Sequence, residues 1–130
     1  MIVVDSSVWI ANLRNLDTPA VRTLRSIDHE ESQVLIGDLI LLEVLQGVRD
    51  DLHASRIERA LRRFPIEAML NPGLAIRAAK NYRALRERGI TIRKTIDVII
   101  GTFCLAGNHQ LLHADRDFDP MVTYLGLKVV

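Results

Sequence analysis

The sequence predicts an α/β domain, a central sheet of short parallel strands with helices on both faces. Three observations carry this reading. Short apolar runs recur at residues 2–4, 34–37 and 110–114, with a last one at 127–130. These runs are continuous rather than alternating, the pattern of strands buried on both sides. Stretches of helical periodicity fill the intervals, which makes the strands parallel through helical crossovers.

Taken in order, IVV at residues 2–4 is a buried strand closed by Asp5-Ser6-Ser7. The carboxylate or a hydroxyl there caps the helix begun by VWIANL. Thr18-Pro19 opens a second helix with Val21, Leu24 and Ile27 on one face. VLIG is the next strand, and Asp38 reads as the N-cap of LILLEVLQGV. That helix is apolar nearly all round and is expected to be buried. Residues 52–64 form an amphipathic helix with Arg56, Arg59, Arg62 and Arg63 outward, followed by a brief strand in FPIE. Asn71-Pro72 opens a long helix to about Glu87, with Ala78, Tyr82 and Leu85 inward and Gly89 as its stop. Residues 95–106 form another apolar helix, broken at Gly107-Asn108. QLLHA is a strand, and LKVV is a final edge strand. No linker or internal repeat interrupts the chain, so residues 1–130 read as one domain.

The composition, 48% hydrophobic and 25% charged, is that of a soluble globular protein and argues against disorder. The single cysteine, Cys104, excludes an intrachain disulfide and reads as a small buried hydrophobe. There is no basic segment leading an apolar stretch at the N-terminus, and no apolar run of the roughly 20 residues a membrane helix needs. The expectation is a cytoplasmic protein with no membrane contact. Net charge is +1, but 14 of the 17 basic residues are Arg, most of them between Arg49 and Arg93. The planar guanidinium fork matches phosphate, so this bias leans toward nucleic acid.

The stretch LLHADRDFDP places Asp115, Asp117 and Asp119 just beyond a buried strand. A calcium loop fits the first three ligand positions only. Pro120 stands where that loop needs Gly, and Gly126 where it needs Glu. A crevice site fits better, because open parallel sheets bind ligands beyond the carboxyl ends of their strands, at the topological switch point. Asp5 ends the first strand and Asp115 ends the QLLHA strand. Glu43 interrupts LILLEVL and Asp97 interrupts TIDVIIG, where ionised carboxylates are costly unless paired or bound to a metal. Asp97 lies in a first helical turn, where the dipole favours an anion; Glu43 has no such support. Singly, each acid reads as a cap, a turn or an ion-pair partner. Together, on four converging elements, they point to a hard divalent cation, Mg²⁺ or Mn²⁺. Other chemistries lack their signatures: there is no phosphate-binding glycine loop, no nucleophile elbow, and no zinc spacing among His29, His53, His109 and His113.

With these acids located, the chain resembles the PIN-domain ribonucleases of the VapC toxin type over essentially its whole length. The carriers are IVVDSSVWI, ILLEVLQG, TIDVIIGTFCLAG and LLHADRDF, in this order and spacing. The resemblance implies a PIN-like three-layer fold and a Mg²⁺- or Mn²⁺-dependent endoribonuclease. Its four acids fall on Asp5, Glu43, Asp97 and Asp115, with Asp117 as a supplementary ligand and Ser7 as the neighbouring hydroxyl that fixes a carboxylate. Metal would be held by Asp5, Asp97, Asp115 and Asp117. The family often has Thr at the position of Ser6 and small alanines at Gly101-Thr102; both departures are mild. The resemblance also implies a homodimer and a cognate VapB-like antitoxin.

An RNA substrate needs a positive rim around such a negative centre. Arg56, Arg59 and Arg63 share one helix face, and Arg77, Lys80, Arg83 and Arg86 form a slowly rotating stripe on the next helix. Arg116 lies inside the acid cluster itself. Ordinary solvated helix faces explain either patch equally well. Two rivals stand beside the nuclease. One is a Mg²⁺-dependent phosphatase, but a dehalogenase-like enzyme would want Asp at Ser7, and a receiver would want paired acids after its first strand. The other is a catalytically silent partner-binding module. Trp9 and Leu13 serve either a dimer or partner surface, or the core.

Overall fold

The computed structural model describes residues 1–27 and 33–130. Five short strands, β1 (Ile2–Val4), β2 (Val34–Gly37), β3 (Ile66–Glu67), β4 (Gln110–Leu112) and β5 (Lys128–Val129), form one sheet in the order β3-β2-β1-β4-β5. Every neighbouring pair is parallel. The strand order reverses between β1 and β4, which makes the gap between their carboxyl ends the switch point. Val4 pairs with Leu112, and the Asp5 amide donates to the Leu112 carbonyl at 2.9 Å. Asp5 and the segment after β4 are therefore held level with one another.

Seven helices join the strands among the described residues: α1 (Ser6–Leu13), α2 (Pro19–Ser26), α3 (Asp38–Gln46), α4 (Asp51–Leu61), α5 (Pro72–Glu87), α6 (Thr95–Gly107) and α7 (Asp119–Leu125). The right-handed rule for parallel crossovers, applied to this strand order, places α1 to α4 on one face and α5 to α7 on the other. The contacts agree, since α1 packs on α2 and α3, α3 on α4, and α5 on α6 and α7. Val3, Val4, Leu35, Ile36 and Leu111 are fully buried, as strands covered on both sides must be. Burying these side chains and the helix faces above them is the main stabilising contribution.

Local chemistry sets the helix starts. Thr18 accepts from the Val21 amide with Pro19 in the first position, and Asn71 accepts from the Leu74 amide with Pro72 in the first position. Asn108 adopts a left-handed conformation (φ 53°) to end α6, and Gly89 (φ 79°) follows the end of α5.

Three expectations need correction. Asp38 is the first residue of α3, not its cap: Gly37 holds the cap position, and Asp38 instead accepts from the Met69 amide at 2.9 Å. Nor is α3 buried all round, for Leu42 is 54% exposed and only Ile40 and Val44 are fully enclosed. The strand read as 110–114 ends at Leu112, and a 3₁₀ turn (Arg116–Phe118) followed by α7 occupies a stretch for which the sequence predicts no element. Asp119 and Pro120 are the first two residues of α7, which explains both as helix-start chemistry. Trp9 belongs to the core, buried and tilted against Phe64 at 5.6 Å, whereas Leu13 is exposed. Cys104 is fully buried, and burial pushes its thiol up to about 12. Among the described residues no helix is long and apolar enough to cross a membrane.

Candidate active site

Asp5 and Asp115, beyond the carboxyl ends of β1 and β4, are each placed by local hydrogen bonds that use one oxygen. Asp5 is the N-cap of α1: its Oδ2 accepts from the Ser7 amide (3.1 Å) and the Ser7 hydroxyl (2.6 Å). Asp115 caps the 3₁₀ turn, its Oδ1 accepting from the Asp117 amide at 2.9 Å. Asp97 lies in the first turn of α6. Glu43 projects from α3, one position before the buried Val44, and its Oε1 accepts from the Ser6 hydroxyl at 3.1 Å. The capping interpretation of these acids is thus correct for one oxygen of Asp5 and of Asp115. It leaves the second oxygen of each unexplained.

Ser7 ties the switch point together. Its hydroxyl donates to Asp5 and accepts from the Ala114 amide at 3.2 Å, bridging the segments after β1 and β4. His113 also serves this loop: its Nδ1 accepts from the Asp115 amide at 3.2 Å, and its ring packs on Phe118 at 5.0 Å. His53 and His109 lie on other elements, and His29 lies outside the described residues.

Asp97, Asp115 and Asp117 each offer a carboxylate oxygen within 4.8 Å of the others. Asp5 and Glu43 fall outside that group, although both act on it electrostatically. Burial, and then Asp5 and Asp115 beside it, push Asp97 up to about 7. Burial also raises Asp5 and Glu43, reinforced by Asp115 for the first and by Asp5 for the second. Asp5 and Asp97 are only 3% exposed, and Asp5 Oδ1 and Asp97 Oδ2 have no hydrogen-bond partner among the described residues. Buried carboxylate oxygens without donors are costly. An all-oxygen, acceptor-only donor set with orphaned lone pairs fits a hard divalent cation.

Two cations that sequence reasoning passed over approach from the loop before α6. Lys94 Nζ lies 3.9 Å from Asp115 Oδ2, and Arg93 Nη2 lies 3.8 Å from Asp117 Oδ1. Their signal was a pair of basic residues just before the helix that carries Asp97. Ser6 was passed over too, as the donor to Glu43; a hydroxyl next to the first acid was its only mark. The basic residues proposed as a rim, Arg56, Arg59, Arg63, Lys80 and Arg116, are all exposed.

The model for the PIN domain family matches residues 2–121. Ribonuclease VapC11 of Mycobacterium tuberculosis is 28% identical over 130 residues, covering 98% of this chain and 96% of that protein. Among solved structures, VapBC2 from Rickettsia felis bound to a promoter DNA fragment is similar over 100% of this chain and 98% of that one, at TM-score 0.79 and 15% identity. Mycobacterium tuberculosis VapC20, described as a sarcin–ricin loop cleaving toxin, is similar over 92% and 93%, at TM-score 0.69 and 20% identity. The acid-lined switch point therefore sits on a known scaffold: the chain belongs to the PIN domain family.

Proposed function

We propose that the protein is a VapC-type endoribonuclease toxin that hydrolyses RNA phosphodiester bonds with the help of Mg²⁺ or Mn²⁺. The observation that carries this is the convergence of Asp5, Glu43, Asp97, Asp115 and Asp117 at the switch point, with two buried carboxylate oxygens left without partners among the described residues. The name and full-length coverage of the mycobacterial relative support the nuclease reading. Asp97, Asp115 and Asp117 would hold the cation, and Asp5 would complete the set. A divalent cation bound there supplies Lewis-acid polarisation of a phosphoryl oxygen and a more acidic water.

The chain's own groups do the rest. Ser7 fixes Asp5 through two bonds to one oxygen, so the other oxygen keeps its aim. Glu43 is held by Ser6 at Oε1, and its raised pKa suits its second oxygen to take the proton lost by the attacking water. The water oxygen bonds to phosphorus as the bond to the 3′ oxygen breaks, and the departing 3′ oxygen takes a proton from solvent. The products carry a 5′-phosphate and a 3′-hydroxyl.

RNA would approach over Arg56, Arg59, Arg63, Lys80 and Arg116. The neutralised charge should make cleavage fall as salt rises. A homodimer and a VapB-like antitoxin are the proposed partners. The toxin–antitoxin complexes among the structural neighbours support the second. The test is cleavage of a labelled RNA by antitoxin-free protein with EDTA, Mg²⁺ or Mn²⁺, followed by end-group analysis. Cation-dependent cuts with 5′-phosphate ends are expected. No cleavage of any RNA, with wild-type melting unmoved by either cation, would remove the proposal and leave the partner-binding module in its place.

A further inference from the structure

Lys94 occupies the N-cap of α6 and makes no side-chain capping bond. A cation there opposes the positive end of the helix dipole, where Ser, Thr, Asp or Asn is preferred. Arg93 precedes it, so two positive side chains stand at a helix start that gains nothing from them. Both lean instead on the acid cluster, at the long separations of 3.9 Å to Asp115 and 3.8 Å to Asp117. Their side chains are 60% and 84% exposed, so neither is locked in place. Exposed ion pairs of this length are weak and readily exchanged. The same two carboxylates belong, with Asp97, to the group of three oxygens suited to a divalent ion.

We propose that Lys94 and Arg93 are exchangeable counter-ions: they neutralise Asp115 and Asp117 while no divalent cation is bound, and are handed to the RNA phosphate backbone when one is. This rests on the nuclease reading above and adds binding residues to it. Cation and RNA then act in sequence at one place. With a cation held by the carboxylates, the ammonium of Lys94 and the guanidinium of Arg93 would be free to face the strand whose phosphate enters the site. Positive charge is conserved near the acids in both states, so the site is never left as bare like charges.

The experiment compares the full-length wild type with Lys94→Gln, Arg93→Gln, the double variant, Lys94→Arg and, as a charge-matched control, Arg22→Gln. Arg22 lies on α2 and, among the described residues, pairs with the exposed Asp17 at 3.5 Å. Mn²⁺ affinity is read by calorimetry, and cleavage of a single-stranded RNA oligonucleotide is read as kcat and KM across a salt series. Removing a competing cation should tighten Mn²⁺ binding by roughly two- to five-fold per residue. The same change should raise KM and flatten the salt dependence by about 0.7 of a logarithmic unit per lost contact. Lys94→Arg should restore both. A merely structural role would not move Mn²⁺ affinity and RNA binding in opposite directions. If wild type binds Mn²⁺ and cleaves RNA while the Gln variants behave like Arg22→Gln, the counter-ion role is overturned and the nuclease stands. If wild type neither binds Mn²⁺ nor cleaves, both are overturned.

Discussion

The central strands β1 and β4 lie side by side, and their two ends are built on opposite terms. At the amino end, several polar groups are met by near neighbours. The Gln110 amide donates to the Met1 carbonyl at 3.0 Å, and Lys128 donates to the Asn108 side chain at 3.0 Å. His109 stacks on Phe103 at 5.4 Å, and burial lowers its pKa. At the carboxyl end, carboxylates crowd together, burial and mutual repulsion raise three of them, and two have an oxygen with no partner among the described residues. One end is arranged for stability. The other tolerates a local cost that a bound cation would relieve, which is where a functional site is expected.

The sharpest way to break this contrast is Asp97→Asn. The amide keeps the shape and removes one of the like charges. RNA cleavage should fall on the order of 10³-fold, the scale of losing one group that stabilises transition-state charge. Metal-free stability should rise at neutral pH and above, because a raised pKa means the folded state disfavours the carboxylate. The sign follows from proton uptake. Between the usual carboxyl value of 3.8 and about 7, folded Asp97 holds a proton that the unfolded chain has released. Its contribution to stability is therefore present below pH 3.8 and is lost as pH rises to about 7. Melts in EDTA from pH 4 to 8 should show that decline in wild type and a shallower one in Asp97→Asn. A saturating divalent cation should reverse the wild-type decline by mass action. A variant with wild-type cleavage would remove Asp97 from the chemistry.

A smaller effect tests the scaffold of the same end. Ser7→Ala deletes the donor to Asp5 Oδ2 and the acceptor for the Ala114 amide. Supporting groups of this kind are worth about 10- to 100-fold in metal affinity or activity. The loss should appear in Mn²⁺ affinity, while the far-ultraviolet dichroism stays that of wild type. Smaller again, and confined to stability, is Gly101→Ala. A Cβ at Gly101 would overlap the sulfur of Met121, which is 1% exposed. Overpacking there should cost about 1–3 kcal/mol, read as a lower urea midpoint with an unchanged slope. Cleavage per folded molecule should survive. A variant that lost cleavage without losing stability would show that α6 and α7 are coupled to the acids more tightly than packing requires.

The carboxyl end was largely legible in the sequence, because its acids break apolar patterns: Glu43 within LILLEVL and Asp97 within TIDVIIG are anomalies that a core does not tolerate. The parallel sheet and the start of α5 at Asn71-Pro72 were legible for a related reason, since continuous apolar runs and Asn-Pro caps have few other readings. What escaped is what sequence periodicity does not encode. The 3₁₀ turn and α7 are short, and Asp119-Pro120 looks alike in a turn and in a first helical turn. Asp38 has cap chemistry, but its carboxylate accepts from the amide of Met69, 31 residues away. The exposure of Leu42 depends on where α4 packs and not on the composition of α3. Lys94 and Arg93 were passed over, because what marks them is their distances to Asp115 and Asp117 across the switch point.

The smallest expected effect sharpens the contrast from the amino end. His109 Nδ1 also lacks a partner among the described residues, so an orphaned polar atom alone does not separate the two ends. Chemistry does: a neutral ring nitrogen without a partner forgoes one hydrogen bond, whereas an orphaned carboxylate oxygen belongs to a charge. His109→Phe keeps an aromatic ring against Phe103 and removes the orphan, so stability at pH 7 should stay level or gain up to about 1 kcal/mol. Its pH dependence has the opposite sign to that of Asp97. Folded His109 has a pKa below its usual 6.5, so wild type loses its contribution as pH falls below that value, and His109→Phe should not. RNA cleavage should be unchanged. If His109→Phe abolished cleavage in a folded protein, the amino end would also serve the reaction, and the division between the two ends of β1 and β4 would fail.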